Sequence, residues 1–150
     1  RYTVAYRLKG GRKWTYFSTT ACNYTFKNLK VKSTYQFRVQ AVSPFGAGAY
    51  SATVSKQALP PTPGSVKVQR ISAKSAKVSW SKSQGFTGYY ILRSTDKNFK
   101  KNVKKITVKS NKALSYTDKS VKKRTRYYYK VCRYTGKTGG SYSKAVSVKI

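Results

Sequence analysis

The sequence has no histidine and no glutamate, and its only two acidic side chains are Asp96 and Asp118. Carboxylate pairs for general acid–base catalysis, Ser/His triads and carboxylate metal sites all require residues that this chain lacks. Two cysteines without histidine are too few for a structural zinc site, and no Gly-rich phosphate loop occurs. The sequence therefore predicts a protein that is not an enzyme and that holds no metal or cofactor.

Long apolar runs and clustered cysteines are also missing. No stretch approaches the roughly 20 apolar residues of a membrane span, so we expect no membrane insertion. Cys22 and Cys132 lie 110 positions apart, and we expect both to be free thiols. The alternation of side chains around Cys132 predicts that it lies on the outward face of a strand.

The composition is dominated by positively charged side chains. The chain has 33 Lys and Arg against 2 acidic residues, a formal net charge of +31. Residues 1–60 contribute 10 of the basic side chains and no acidic one, whereas residues 61–150 contribute 23 and both acids, giving +10 and +21. Such a surface attracts polyanions, although a lysine-rich surface that only maintains solubility is an alternative interpretation.

An internal repeat organises the chain. Residues 29–42 return as residues 121–134, displaced by 92 positions. The matched pairs are Tyr24 with Tyr116, Thr25 with Thr117, Leu29 with Val121, Tyr35 with Tyr127, Phe37 with Tyr129, and Val39 with Val131. In both copies apolar and polar residues alternate, which predicts a strand with one buried face.

These residues resemble the sixth strand of the fibronectin type III family, in which an aliphatic residue and a turn precede the strand. Leu29 with Tyr35 and Val121 with Tyr127 fit the six-residue spacing of that motif. Residues 44–51 also resemble the family's Gly-containing turn between its last two strands. The resemblance implies an all-β chain of two tandem immunoglobulin-like sandwiches, each with a Tyr hydroxyl bonded back to the backbone just upstream.

The resemblance also divides the chain. Residues 1–58 correspond to a domain without its first two strands, residues 59–64 to a Pro-rich linker, and residues 65–150 to a complete domain. Residues 23–26 are predicted to form a strand, and Trp80 is predicted to lie in the second core. Because a sandwich without two strands exposes apolar surface, we expect the natural protein to continue upstream of Arg1, or a neighbouring chain to cover this face.

One candidate site is the outward sheet face of the second domain, where tyrosines would stack on sugar rings while lysines neutralise acid groups. Its predicted residues are Tyr90, Lys105, Lys109, Tyr128, Lys130, Tyr134 and Lys149. Exposed Tyr and Lys are also common on strand surfaces, where they stabilise cross-strand pairs, so a structural role is the alternative.

Two basic loops form a second candidate site for polyanions. They contain Lys97, Lys100, Lys101, Lys104, Lys119, Lys122, Lys123, Arg124 and Arg126. Binding by flexible basic loops would be sensitive to salt. The resemblance implies a secreted or cell-surface module, and the unpaired cysteines together with the Lys-rich composition favour a bacterial source. We expect it to act as a spacer and as an anchor to an anionic polysaccharide or teichoic acid-like polymer, next to further domains. Passive presentation of an upstream enzyme or adhesin, and nonspecific nucleic-acid binding, are the alternatives.

Overall fold

The computed structural model describes residues 1–83 and 85–150 and divides into two compact units, Arg1–Ala58 and Leu59–Ile150. Each unit is built from antiparallel strands, and the described residues contain no helix. Accordingly, no described segment has the helical length and apolarity required to cross a membrane. The prediction of an all-β chain is confirmed.

The first unit contains a single sheet in its 58 residues. Its strands are β1 (Tyr2–Leu8), β2 (Thr15–Thr19), β3 (Thr34–Ser43), β4 (Gly46–Tyr50) and β5 (Val54–Gln57). They are ordered β2-β1-β3-β4, and β5 pairs with the first half of β3 while β4 pairs with its second half. One face of this sheet has no second sheet against it within the unit.

The prediction of a strand at residues 23–26 is wrong, because the structure has no strand there. The matching residues in the second unit do form a strand, since they pair with a neighbouring strand along residues 76–79. The first unit offers no such neighbour. Tyr24 and Phe26 instead pack their rings on Phe17, with centroids 4.4 and 5.8 Å away, and Tyr24 remains 55% exposed.

The second unit is a two-sheet sandwich. Its strands are β6 (Lys67–Ser72), β7 (Ser75–Ser79), β8 (Gly88–Ser94), β9 (Lys104–Val108), β10 (Ser115–Asp118), β11 (Arg126–Thr135), β12 (Thr138–Gly139) and β13 (Val146–Lys149). One sheet has the order β10-β7-β6, and the other has the order β12-β11-β8-β9 with β13 also pairing with β11. Trp80 lies in the core between them, as predicted, with its ring 4.6 Å from that of Tyr89.

The tyrosine corner expected in each repeat is confirmed. The Tyr35 hydroxyl accepts a hydrogen bond from the backbone N–H of Lys30, and the Tyr127 hydroxyl accepts one from Lys122, both at 3.1 Å. The turns also agree in their backbone, because Lys32 and Arg124, which are 92 positions apart, both have a positive φ, of 69° and 57°. The repeat therefore specifies the turn as well as the strand.

The Pro-rich segment 59–64 packs on the second unit. Pro60 and Pro63 are buried, and Arg133 Nη1 donates to the carbonyl oxygens of Pro61 and Thr62 at 3.1 and 3.3 Å. Pro60 also lies directly against Gly140, where an added Cβ would collide with the Pro60 carbonyl. This segment is thus held at the end of the second unit where β11 finishes.

Candidate functional site

The two predicted basic loops lie at the same end of the second unit. Tyr128, near the start of β11, pairs with Ser94, the last residue of β8. The loop that follows β8 and the loop that precedes β11 must therefore emerge together, and Arg126 brings Lys149 to the same place by pairing with it. We call this surface the basic end; it contains Lys97, Lys100, Lys101, Lys104, Lys119, Lys122, Lys123, Arg124, Arg126 and Lys149.

Every residue of the basic end is exposed. In the part of the chain that the structure describes, the one ion pair joins Arg93 to Asp118, so none of these cations forms a salt bridge with a carboxylate. Arg126 makes a long hydrogen bond of 3.4 Å to the Ser147 hydroxyl. The basic end therefore presents ten exposed cations to solvent.

Asp96 shapes the first basic loop. Its carboxylate accepts hydrogen bonds from the backbone N–H groups of Asn98 and Lys100, at 3.1 and 2.8 Å, and these bonds hold the pKa of Asp96 below its ordinary value. The Ser94 hydroxyl closes the loop by donating to the Lys101 carbonyl at 2.6 Å. The loop predicted to be flexible is thus closed by internal hydrogen bonds.

Asp118 holds the second basic loop from inside. Burial raises the pKa of Asp118, but hydrogen bonds from the Ser120 N–H and hydroxyl, together with Arg93, outweigh that effect and lower the pKa below its ordinary value. Arg93 Nη1 also donates to the Ser120 hydroxyl at 2.7 Å. Both acidic residues of the chain therefore support the loops that carry the cations.

The tyrosines of the predicted glycan-binding face are largely covered. Tyr134 is only 5% exposed, and its ring stacks on that of Tyr90 with centroids 4.3 Å apart and planes within 12°. Lys105 Nζ lies 3.6 Å from the centre of the Tyr90 ring. An ammonium this close must sit on the face opposite Tyr134, so both faces of Tyr90 are occupied.

The remaining residues of that face are not brought together. Lys130 Nζ lies 4.5 Å from the Phe99 ring, beside the first basic loop, and Tyr128 is partly exposed. Lys109 follows the far end of β9, whereas Lys149 pairs with Arg126 at the basic end. At about 3.3 Å per strand residue, roughly 26 Å separates the two positions along the sheet.

Cys132 is a free thiol, as predicted, but it is buried. Its cross-strand partner is Tyr90, so it does lie on the outward face of its sheet, but only 1% of it is accessible. The chain crosses directly above it, since a Cβ added to Gly139 would lie 3.7 Å from the Cys132 sulfur. Burial raises the pKa of the Cys132 thiol, whereas Cys22 is an exposed free thiol.

Sequence reasoning missed an Arg–aromatic array on the first unit. The Trp14 ring has the guanidinium carbons of Arg7 and Arg38 both 4.3 Å from its centre, and Arg38 also lies 4.1 Å from the centre of Tyr50. Arg38 pairs across the strands with Ala5, which is fully buried and whose small side chain leaves room beside the guanidinium. Period-2 alternation places Arg7 and Arg38 outward, but only the strand register shows that they meet Trp14.

Comparisons with known proteins agree on the type of domain. The family model described as fibronectin type III domain matches residues 1–57 and 60–149. A curated relative, fibronectin type-III domain-containing protein 3A of Pongo abelii, is 28% identical over 102 residues, which are 63% of this chain and 9% of that protein. The chain thus spans about a tenth of that relative's length.

Two solved structures share the fold. The FN1–FN3 domains of chicken CNTN1 match with a TM-score of 0.55 and 23% identity, over 98% of this chain and 55% of that one. A two-domain fibronectin type-III segment of chicken tenascin matches with a TM-score of 0.57 and 14% identity, over 100% of this chain and 84% of that one. The family match over both units shows that this chain belongs to the fibronectin type III domain family.

Proposed function

We propose that the chain acts as a spacer in a bacterial secreted or cell-surface protein and as a cationic anchor to anionic cell-envelope or host polymers. The observation that carries this proposal is the convergence at the basic end of ten exposed cations that form no salt bridge. Domains of this family are commonly extracellular or surface modules and are typically non-enzymatic scaffolds. The proposal of a bacterial origin rests on the two free thiols together with the Lys-rich composition, since secreted animal proteins usually form disulfides.

The position of the basic end supports an anchoring role. The segment 59–64 is held against Arg133 and Gly140, near the end of β11, whereas the basic end lies at the start of that strand. The surface that would contact a polymer is therefore at the opposite end of the unit from the segment that leads in from the first unit. An anionic polysaccharide or a teichoic acid-like polymer would thus be contacted away from that segment.

The chemistry of the basic end favours electrostatic binding over recognition of a particular sugar. Nine of its ten cations are in or next to two loops, and the tyrosine stack of Tyr90 and Tyr134 has no free ring face to offer. With a Debye length of about 8 Å at physiological salt, such contacts weaken as the salt concentration rises. Release of counterions gives a linear dependence of log affinity on log salt.

Two variants of equal net charge test this proposal. Replacing Lys97, Lys101, Lys119 and Lys123 with Gln removes four cations from the basic end, while replacing Lys67, Lys82, Lys112 and Lys137 with Gln removes four exposed cations elsewhere in the same unit. Binding to a glycerol phosphate polymer is measured by calorimetry at several salt concentrations. The basic-end variant should bind more weakly, with a salt slope smaller by about 3 if all four cations contact the polymer, and the control variant should change little.

The alternatives predict other outcomes of the same measurement. A passive spacer would show no binding of the polymer or of purified cell wall at physiological salt. A nucleic-acid-binding function would require duplex DNA affinity that survives roughly 200 mM salt, where nonspecific contacts weaken strongly. Equal losses in the two variants would show that total charge, and not the basic end, determines binding.

A further inference from the structure

The Arg–aromatic array of the first unit, Arg7, Trp14, Arg38 and Tyr50, holds two guanidinium groups in fixed positions. Arg7 and Arg38 both stack on Trp14 at 4.3 Å, and Arg38 also stacks on Tyr50 at 4.1 Å. A guanidinium plane held against an aromatic ring keeps its N–H edge free to donate hydrogen bonds. The array therefore fixes two planar donors before any ligand arrives.

Most of these donors have no partner within the described residues. Arg7 Nε donates to Gln36 Oε1 at 2.8 Å, and Arg38 Nη2 makes a long contact of 3.4 Å with the Tyr16 hydroxyl. The structure shows no hydrogen bond from either Nη group of Arg7 or from Nη1 of Arg38 across the part of the chain that it describes. Residues 1–60 contain no Asp or Glu, so no carboxylate of the first unit can satisfy them.

We propose that the array is a binding site for a tetrahedral oxyanion, a sulfate or phosphate ester group carried on an anionic glycan. Guanidinium groups bind such anions through parallel N–H···O bonds, and a tetrahedral ester offers enough terminal oxygens to accept from both arginines. Two guanidinium groups already lie over the Trp14 ring, so stacking of a sugar ring on the indole is not the mode of binding that we propose. Prior stacking reduces the side-chain entropy that binding would otherwise remove.

This site is independent of the basic end. It uses arginines of the first unit, whereas the anchor proposed above uses mostly lysines of the second. The position matching Arg38 in the second unit is Lys130, and its neighbour across the strands is Leu92 where the first unit has Ala5. The second unit thus lacks the small residue and the stacked arginine on which the array depends.

The test exchanges arginine for lysine and so leaves the charge unchanged. Arg7→Lys with Arg38→Lys removes the planar donors of the array, and Arg1→Lys with Arg12→Lys makes the same change at two exposed positions of the same unit. Dextran sulfate, a glycerol phosphate polymer and polygalacturonate, which carries only carboxylates, are titrated into each full chain. We expect the array variant to bind one of the two ester-bearing polymers about tenfold more weakly, with an unchanged salt slope, and the control variant to bind as before.

The same titrations identify the class of anion. If the array variant loses affinity for dextran sulfate alone, the ligand group is a sulfate ester. If it loses affinity for the glycerol phosphate polymer alone, the ligand group is a phosphate ester. Equal affinities of the array and control variants for all three polymers, or an equal loss for polygalacturonate, would overturn the proposal. Neither result would affect the basic end, because the lysine variants of the second unit test that surface separately.

A measurement on the unaltered chain avoids any effect of the substitutions on folding. Trp14 stacks on both arginines of the array, whereas Trp80 is buried in the second core. The sulfated or phosphorylated polymer should therefore change the emission of Trp14, and Trp14→Phe should remove that change. Emission that stays constant at saturating polymer would contradict the site.

Discussion

Arg93 Nη1 lies 3.0 Å from Asp118 Oδ2, and this is the one ion pair in the described part of a chain with 33 basic residues. Asp118 is buried, with 1% of its side chain accessible, and it also accepts a hydrogen bond from the Tyr129 hydroxyl at 3.2 Å. The pair lies beneath the loop that carries Lys119 and Lys122. A single buried carboxylate thus connects the core of the second unit to the basic end.

Replacement of Asp118 with Asn should destabilise the second unit strongly. It leaves the Arg93 guanidinium, whose side chain is only 14% accessible, without its counter-charge, and breaking such a pair costs about 3 kcal/mol. Urea unfolding followed by the emission of Trp80, in a Trp14→Phe background, measures this unit alone. Asp96→Asn is the control and should cost clearly less, since its carboxylate holds only loop N–H groups. Equal losses of stability in the two variants would show that the ion pair adds nothing to the stability of the second unit.

The pH dependence of unfolding should reveal the same carboxylate. The pKa of Asp118 lies below its ordinary value of 3.8, so its contribution to stability is complete above that value and is lost as the pH falls through the lower, folded-state pKa. The chain has no histidine, and we expect a flat profile from pH 5 to 7.

The control for this profile is the Asp118→Asn variant. Its free energy of unfolding should fall less between pH 5 and pH 2 than that of the unaltered chain, because the shifted carboxyl is gone. Asp96 also has a lowered pKa, and Asp96→Asn should keep most of the acid dependence if Asp118 is its main source. Identical acid profiles for the unaltered chain and Asp118→Asn would contradict the assignment.

Matched positions of the repeat should differ in stability because only one unit is a two-sheet sandwich. Val131 is fully buried, whereas its counterpart Val39 is 40% exposed on the open face of the first sheet. Val131→Ala should therefore cost about 2 kcal/mol and Val39→Ala less than about 1 kcal/mol, as expected from the apolar area that each buries. The emission of Trp80 reports unfolding of the second unit and that of Trp14 reports unfolding of the first, so the two losses of stability are measured separately. Similar costs would mean that another part of the protein, or another copy of the chain, covers Val39 in solution.

Much of this fold could be predicted from the sequence because the repeat carries local signals. The spacing of Leu29 and Tyr35, with its copy at Val121 and Tyr127, predicts the corner hydrogen bonds that the structure contains. The absence of a strand at residues 23–26 could not be predicted in this way. A strand exists only with a partner, and the alternation of residues 23–26 does not say whether one is present.

The exposure of the candidate residues could not be predicted from alternation alone. Alternation correctly places Tyr90, Cys132 and Tyr134 outward, but it does not show that the chain returns over them near Gly139. The Arg–aromatic array was missed for a related reason, since Arg7, Trp14 and Arg38 come from three segments that meet only through strand register. The position of the two basic loops was easier to predict, because antiparallel pairing of β8 with β11 places both loops at one end of the unit.

The two thiols should react at very different rates. Cys22 is exposed, while Cys132 is 1% accessible and its pKa is raised by burial, so less of it is thiolate at neutral pH. A disulfide reagent should label Cys22 at once and Cys132 only at the rate at which the second unit opens. Cys22→Ser provides the control, because its remaining thiol should react slowly in buffer and rapidly in urea. Fast labelling of Cys132 in buffer would mean that the chain around Gly139 opens readily, and the rings of Tyr90 and Tyr134 would then become accessible to a ligand.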